Sequence, residues 1–340
     1  MNRTFGFELE YASRTERMAA RLHEKGRTGT DEIHSYHCDC DECGFNTFTR
    51  YDEDDCVQVE PNDLRAQRDS TADGEFITRI LDNFDDLVDI AGALTSVATT
   101  VGATTNERCG LHVHVGVDRR DWLAPEQATF LTNRVPLTYL AFERYFSEIV
   151  APGNASRKRD MNSTLMEALR GYVADGYRAD DIGNGNWTDI GRAQAEHLVR
   201  RAILRDRHVD LNWNRKYRTW EFRCFNATNA TWRIELACRM SVAFVEATQD
   251  LSDEIEGVVH SSPEWTKRCD SAWGEIIRPA WSEKPNPHLT KKPLVPLDRF
   301  VDILCAHDPD LRPLIQRQAN YMRRTYAKSV LADPIAVGSV

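Results

Sequence analysis

The stretch CGLHVHVGV, residues 109–117, decides how the rest of the chain is read. Leu111, Val113 and Val115 alternate with His112 and His114, the period-2 pattern of a β-strand. Both imidazoles then leave one face and the aliphatic side chains leave the other. Two more stretches repeat that inversion. In GFELEY, residues 6–11, Glu8 and Glu10 point together while Phe7 and Leu9 point away. In TWEFRCFNAT, residues 219–228, Glu221 and Arg223 share a face and Phe222 takes the other. A face carrying six acids and bases of this kind cannot be dry core, because an unpaired buried charge costs several kcal/mol. It must be solvated, an ion-pair network or a metal site. Solvated charged faces are ordinary on antiparallel sheets. Gly6, Gly110 and Gly116 sit inside or beside these strands, where glycine costs stability but permits close approach of backbone or ligand.

Working outward, residues 3–11 read as a strand, 13–25 as a helix and 74–81 as a second strand. The clearest helix is 84–101. Leu87, Ile90, Leu94, Val97 and Val101 fall at alternating steps of three and four, and Gly102 suits its end. Pro125 opens a helical region reaching about Val150, kinked near Pro136. Within it, the aromatic residues of TYLAFERYFSEIV (138–150) have the spacing of core or domain contact. Residues 151–188 mix loop and short helix, 189–206 form a basic amphipathic helix, 208–226 hold two strands, and a long helix covers roughly 231–258. Irregular alternation of strands and helices, with hairpin-like pairs, predicts an α+β fold rather than a doubly wound parallel sheet. The expected division is a catalytic part over 1–258, with a Cys- and His-rich insertion at about 27–63, and a helical C-terminal extension over 259–340.

The net charge of −10 argues against partners held by overall basic charge, whether nucleic acid or anionic membrane. No apolar run reaches membrane-spanning length, and the N-terminus lacks the pattern of a signal peptide. The nine cysteines are then expected to be reduced in a cytoplasmic setting, where a cluster suggests metal. Cys38, Cys40 and Cys43 lie close together with Cys56 following, so one structural Zn²⁺ is expected there, His34 or His37 being able to replace a thiolate. A polar insertion has little apolar material to hold it, and a metal would supply the missing folding energy. Cys109, Cys224, Cys238, Cys269 and Cys305 read as small core residues. The sequence contains no phosphate-loop motif and no serine or cysteine nucleophile arrangement, so a nucleotide site would have to be metal-centred. Carboxylates with an imidazole suit Mg²⁺ or Mn²⁺, and an adjacent arginine suits phosphate.

GFELEY, GEFITRIL, CGLHVHVGV and LNWNRKYRTWEFRCFNAT together resemble the amidoligase family, from the N-terminus to about residue 240. The resemblance implies the catalytic fold of glutamine synthetases and γ-glutamylcysteine ligases, an antiparallel sheet flanked by helices. It implies an ATP- and Mg²⁺-dependent carboxylate–amine ligase working through an acyl phosphate on small-molecule or peptide substrates. Carried over by position, Glu8, Glu10, Glu75, His112 and Glu221 would be metal ligands. His114 would lie near the nucleotide phosphates, and Arg223 would stabilise the transferring phosphoryl group. Arg157 or Arg159, and Arg218, would bind phosphate or a substrate carboxylate, with Asn212 and Asn226 lining the pocket. The chain departs from the family in having FITRIL after Glu75, where a Ser-Pro is common, and RKRDMNSTL where an aromatic–Cys–Lys element is common. Two other readings of the same residues stay open: a metal-dependent hydrolase using the Glu/His cluster, and a non-enzymatic zinc-containing interaction module.

Overall fold

A computed structural model of the chain describes residues 3–35, 49–52, 55–58, 62–69, 72–116, 146, 211–214, 219–256 and 297–325. The chain divides into two compact units, Met1–Val115 with Phe225–Cys238, and Gly116–Cys224 with Arg239–Val340.

The first unit is built on antiparallel strands β1 (Phe5–Tyr11), β4 (Leu64–Gln67), β5 (Gly74–Thr78) and β6 (Gly110–Gly116), in the spatial order β4-β5-β1-β6. A separate hairpin pairs β2 (Thr49–Asp52) with β3 (Asp55–Gln58). Alternation assigns one sheet face to Phe5, Phe7, Leu9 and Tyr11 of β1, Leu64 and Ala66 of β4, Phe76 of β5, and Leu111, Val113 and Val115 of β6. All of these are buried. The apolar stripes of helices α1 (Thr15–Glu24) and α2 (Phe84–Val101) are buried in the same unit, through Met18, Ala19 and Leu22 and through Leu87, Ile90, Leu94 and Val97. The Phe5 and Phe84 rings, 4.9 Å apart, join β1 to the head of α2.

Helix α2 falls where its periodicity predicts. Asn83 accepts the Asp86 N–H at 2.8 Å, Asp85 and Asp86 complement the positive end of the dipole, and Gly102 closes the helix in the left-handed region at φ 68°. Helix α1 is capped from a distance. Asp73 accepts the Thr15 N–H at 3.1 Å and its hydroxyl at 2.7 Å. Arg14, at φ 64°, donates from its guanidinium to the Val101 carbonyl at 2.8 Å, where the end of α2 is electronegative.

A strand precedes the one that the sequence indicates. Strand β4 begins at Leu64, directly after residue 63, whereas the alternation was readable only from Gly74. Four residues flanked by Asp63, Arg68 and Asp69 are too short to declare a period. Tertiary contacts supply what local pattern lacks: Thr28 and His34 bridge Leu64 and Gln67 in parallel and cover the β4 edge. Asp63 also receives Arg27 at 2.5 Å and Arg79 at 3.3 Å, which ties the start of β4 to the end of β5.

In the second unit β7 (Leu211–Asn214) pairs with β8 (Thr219–Asn226), with Leu211 opposite Phe222 and Asn212 opposite Glu221. Helix α3 (Thr231–Glu256) begins in the first unit and continues into the second. Helices α4 (Leu297–His307) and α5 (Leu311–Thr325) follow. Phe146, from the aromatic stretch read as core, is fully buried against Phe222, Phe244 and Phe300, with ring centroids 5.6, 5.2 and 5.6 Å away. Arg239 holds both Asp308 oxygens, at 3.1 and 3.0 Å. Cys109, Cys224, Cys238 and Cys305 are buried, as small core residues should be. Cys269 lies outside the described residues. The architecture is α+β, and β1–β5, β1–β6, β2–β3, β4–β5 and β7–β8 pair antiparallel.

Candidate functional site

The face of the first unit's sheet opposite the apolar one carries the expected acids and imidazoles. Register decides which of them meet. Glu8 lies opposite His112, and Gly6 lies opposite His114. On the other side of β1, Glu10 lies opposite Glu75, which lies opposite Gln67. Glu8 therefore receives two rings: His112 Nδ1 is 3.2 Å from its Oε2, and His114 Nε2 is 3.2 Å from its Oε1. His112 Nε2 is also 3.6 Å from Glu10 Oε1. The Gly110 N–H donates to Glu10 Oε2 at 2.6 Å, the short approach that a glycine at this strand start permits.

These groups are not on a solvated face. Glu10 is 3% exposed, Glu75 4% and His112 3%. Burial sets the electrostatics. It opposes the charge on Glu8, but the His114 and His112 rings overcome it and hold that carboxyl well below the usual carboxylate range. Glu75 goes the other way. Burial, then repulsion from Glu8, with smaller pushes from Asp69 and Glu10, raise it to about 8 despite a hydrogen bond from Gln67. An acid that resists ionisation because it is buried, with other acids beside it, is relieved by a cation.

Asp69 was not anticipated. One ligand atom each from Glu10, Asp69 and Glu75 lies within 4.8 Å of the others. Asp69 continues the alternation of Arg65 and Gln67 beyond the end of β4, a run too short to stand out in the sequence. Three carboxylates with a neighbouring imidazole form a hard, oxygen-rich donor set suited to Mg²⁺ or Mn²⁺.

A model of the family described as "putative amidoligase enzyme" matches residues 1–245, from before β1 to well inside α3. The chain belongs to this amidoligase family. The match spans every acid and imidazole named above, and the description points to an amide-bond-forming ligase. Helices α4 and α5 lie beyond it. A search of curated proteins returns no match to this chain. Among the described residues, no helix is long and apolar enough to cross a membrane.

In the second unit, Glu221 is 4% exposed on β8. It accepts from Arg223 and, at 3.4 Å each, from the side-chain amides of Asn212 and Asn214. Asn212 thus lies against Glu221, and Asn226, at the end of β8, is partly exposed. Arg157, Arg159, Arg218, His37, Cys38, Cys40 and Cys43 lie outside the described residues. Cys56 contributes backbone to β3. His34 is tied by its backbone beside β4, its N–H donating to the Ala66 carbonyl at 3.4 Å.

Proposed function

We propose that this amidoligase is an ATP-dependent carboxylate–amine ligase that uses Mg²⁺ or Mn²⁺ and forms its amide through an acyl phosphate. The observation that carries this reading is one sheet face with Glu10, Glu75 and His112 buried and Glu8 and His114 half-buried, in a chain that belongs to the family. Glu8 with His112, and Glu10 with Asp69 and Glu75, would hold the cations, and Glu221 would join them. Bound cations would supply positive charge against a triphosphate and polarise its γ-phosphoryl group. His114 would lie near the phosphates, Arg223 would stabilise charge on the transferring phosphoryl, and Arg159 and Arg218 would add anion contacts.

Positioning is the chain's part of the chemistry. A substrate carboxylate oxygen attacks the γ-phosphorus, and ADP leaves. The nitrogen of an amine attacks the resulting acyl carbon, phosphate leaves, and the nitrogen gives up a proton. Water must be kept from the acyl phosphate, which favours a site as buried as this one. The substrates are a carboxylate and an amine, each a small molecule or a peptide.

Phosphate release from ATP with Mg²⁺ and mixed amino acids or peptides tests the reading. Glu8→Gln, His112→Ala and Glu221→Gln should each abolish turnover while circular dichroism stays unchanged. Turnover surviving all three refutes the assignment. Metal-dependent hydrolysis that proceeds without nucleotide would indicate the hydrolase instead.

A further inference from the structure

Gln67 is 4% exposed on β4, directly across the strand pair from Glu75. Its Nε2 donates to Glu75 Oε1. The choice of a neutral amide here has a physical consequence. A lysine or arginine at this place would orient Glu75 by neutralising it, as Arg223 accompanies Glu221 on β8. An apolar side chain would leave the carboxylate without that anchor. An amide fixes the carboxyl in space without placing a positive charge beside it. The strand that carries it is itself held. The Arg68 N–H donates to the His34 carbonyl at 2.8 Å, so β4 is flanked on both edges at this point. Two residues on, Asp69 joins Glu75 and Glu10.

We propose that Gln67 is a positioning residue that holds Glu75 against Glu10 and Asp69, so that a divalent cation meets a preorganised Glu75 carboxyl whose anchor does not compete with it for charge. The inference rests on the metal-dependent reading above. Partners of this kind that orient a ligand typically change metal affinity about tenfold to a hundredfold when removed.

The test uses the full chain, Mn²⁺ alone as probe, and three proteins: wild type, Gln67→Met and Gln67→Lys. Mn²⁺ affinity is read by electron paramagnetic resonance and calorimetry, and melting is followed in EDTA. Gln67→Met, close in shape but without a donor, should bind Mn²⁺ about tenfold or more weakly. Gln67→Lys should bind it more weakly still, yet melt in EDTA no lower than Gln67→Met, because its ammonium offsets the acids. Stability and affinity then move apart, which a merely structural role would not produce. Gln67→Met binding Mn²⁺ as tightly as wild type overturns the inference alone. So does Gln67→Lys losing stability and affinity in parallel with Gln67→Met. A wild-type chain that takes up no Mn²⁺ overturns the cation reading and this inference together.

Discussion

Glu75→Gln removes one ionisable carboxyl from a group of three acids and keeps the side chain's shape. Without metal, the Glu75 carboxyl has its pKa pushed up to about 8 from an ordinary 4.5. A group whose pKa is higher in the folded chain binds its proton more tightly there than when unfolded. Its contribution to stability is therefore complete below about pH 4.5 and is lost as pH rises through about 8. The displacement corresponds to a few kcal/mol. In EDTA, wild type should lose that much stability, relative to Glu75→Gln, between about pH 5 and about pH 9. The other titrating groups remain in both proteins, so the difference between the two curves isolates Glu75. Denaturant unfolding at a series of pH values measures it. Saturating Mn²⁺ should reverse the order: it stabilises wild type at alkaline pH and does little for the variant, because a ligand bound only by the native state raises its stability. Parallel pH curves in EDTA would refute the argument that crowded acids strain this sheet face. Equal stabilisation of both proteins by Mn²⁺ would refute the assignment of Glu75 as a ligand.

Phe146→Ala removes a ring packed on Phe222, Phe244 and Phe300, and should cost about 3–5 kcal/mol in denaturant unfolding. A loss under about 1 kcal/mol would mean that the aromatic cluster does not hold the second unit's core. The proposed zinc on Cys38, Cys40, Cys43 and Cys56 should appear as about one equivalent of bound zinc in the purified chain, lost in Cys38→Ser and Cys43→Ser. Zinc content unchanged by either substitution would remove that site.

The inverted faces of β1, β6 and β8 were legible in the sequence because side-chain direction in a strand is a local matter with a period of two. Helix α2 was legible for the same kind of reason, at a period near 3.6, and Gly102 marked its end. Buried cysteines and the core role of Phe146 followed from their apolar surroundings. Strand β4 was not legible, since LRAQ is too short to show a pattern against its polar flanks. With it went Gln67 and Asp69, one the neighbour of Glu75 and the other a member of its acid group.

What the sequence determined by itself, then, was which residues could share a face. Which of them touch was decided by register between segments far apart in the chain. Glu10 meets Glu75 and Glu8 meets His112 only because β1 pairs with β5 on one side and β6 on the other, each at one alignment. A slip of one residue would turn the acids into the apolar face and the phenylalanines onto the face of the acids. That penalty, summed over the apolar face of four strands, selects the alignment, and the buried group of acids and imidazoles is a consequence of it.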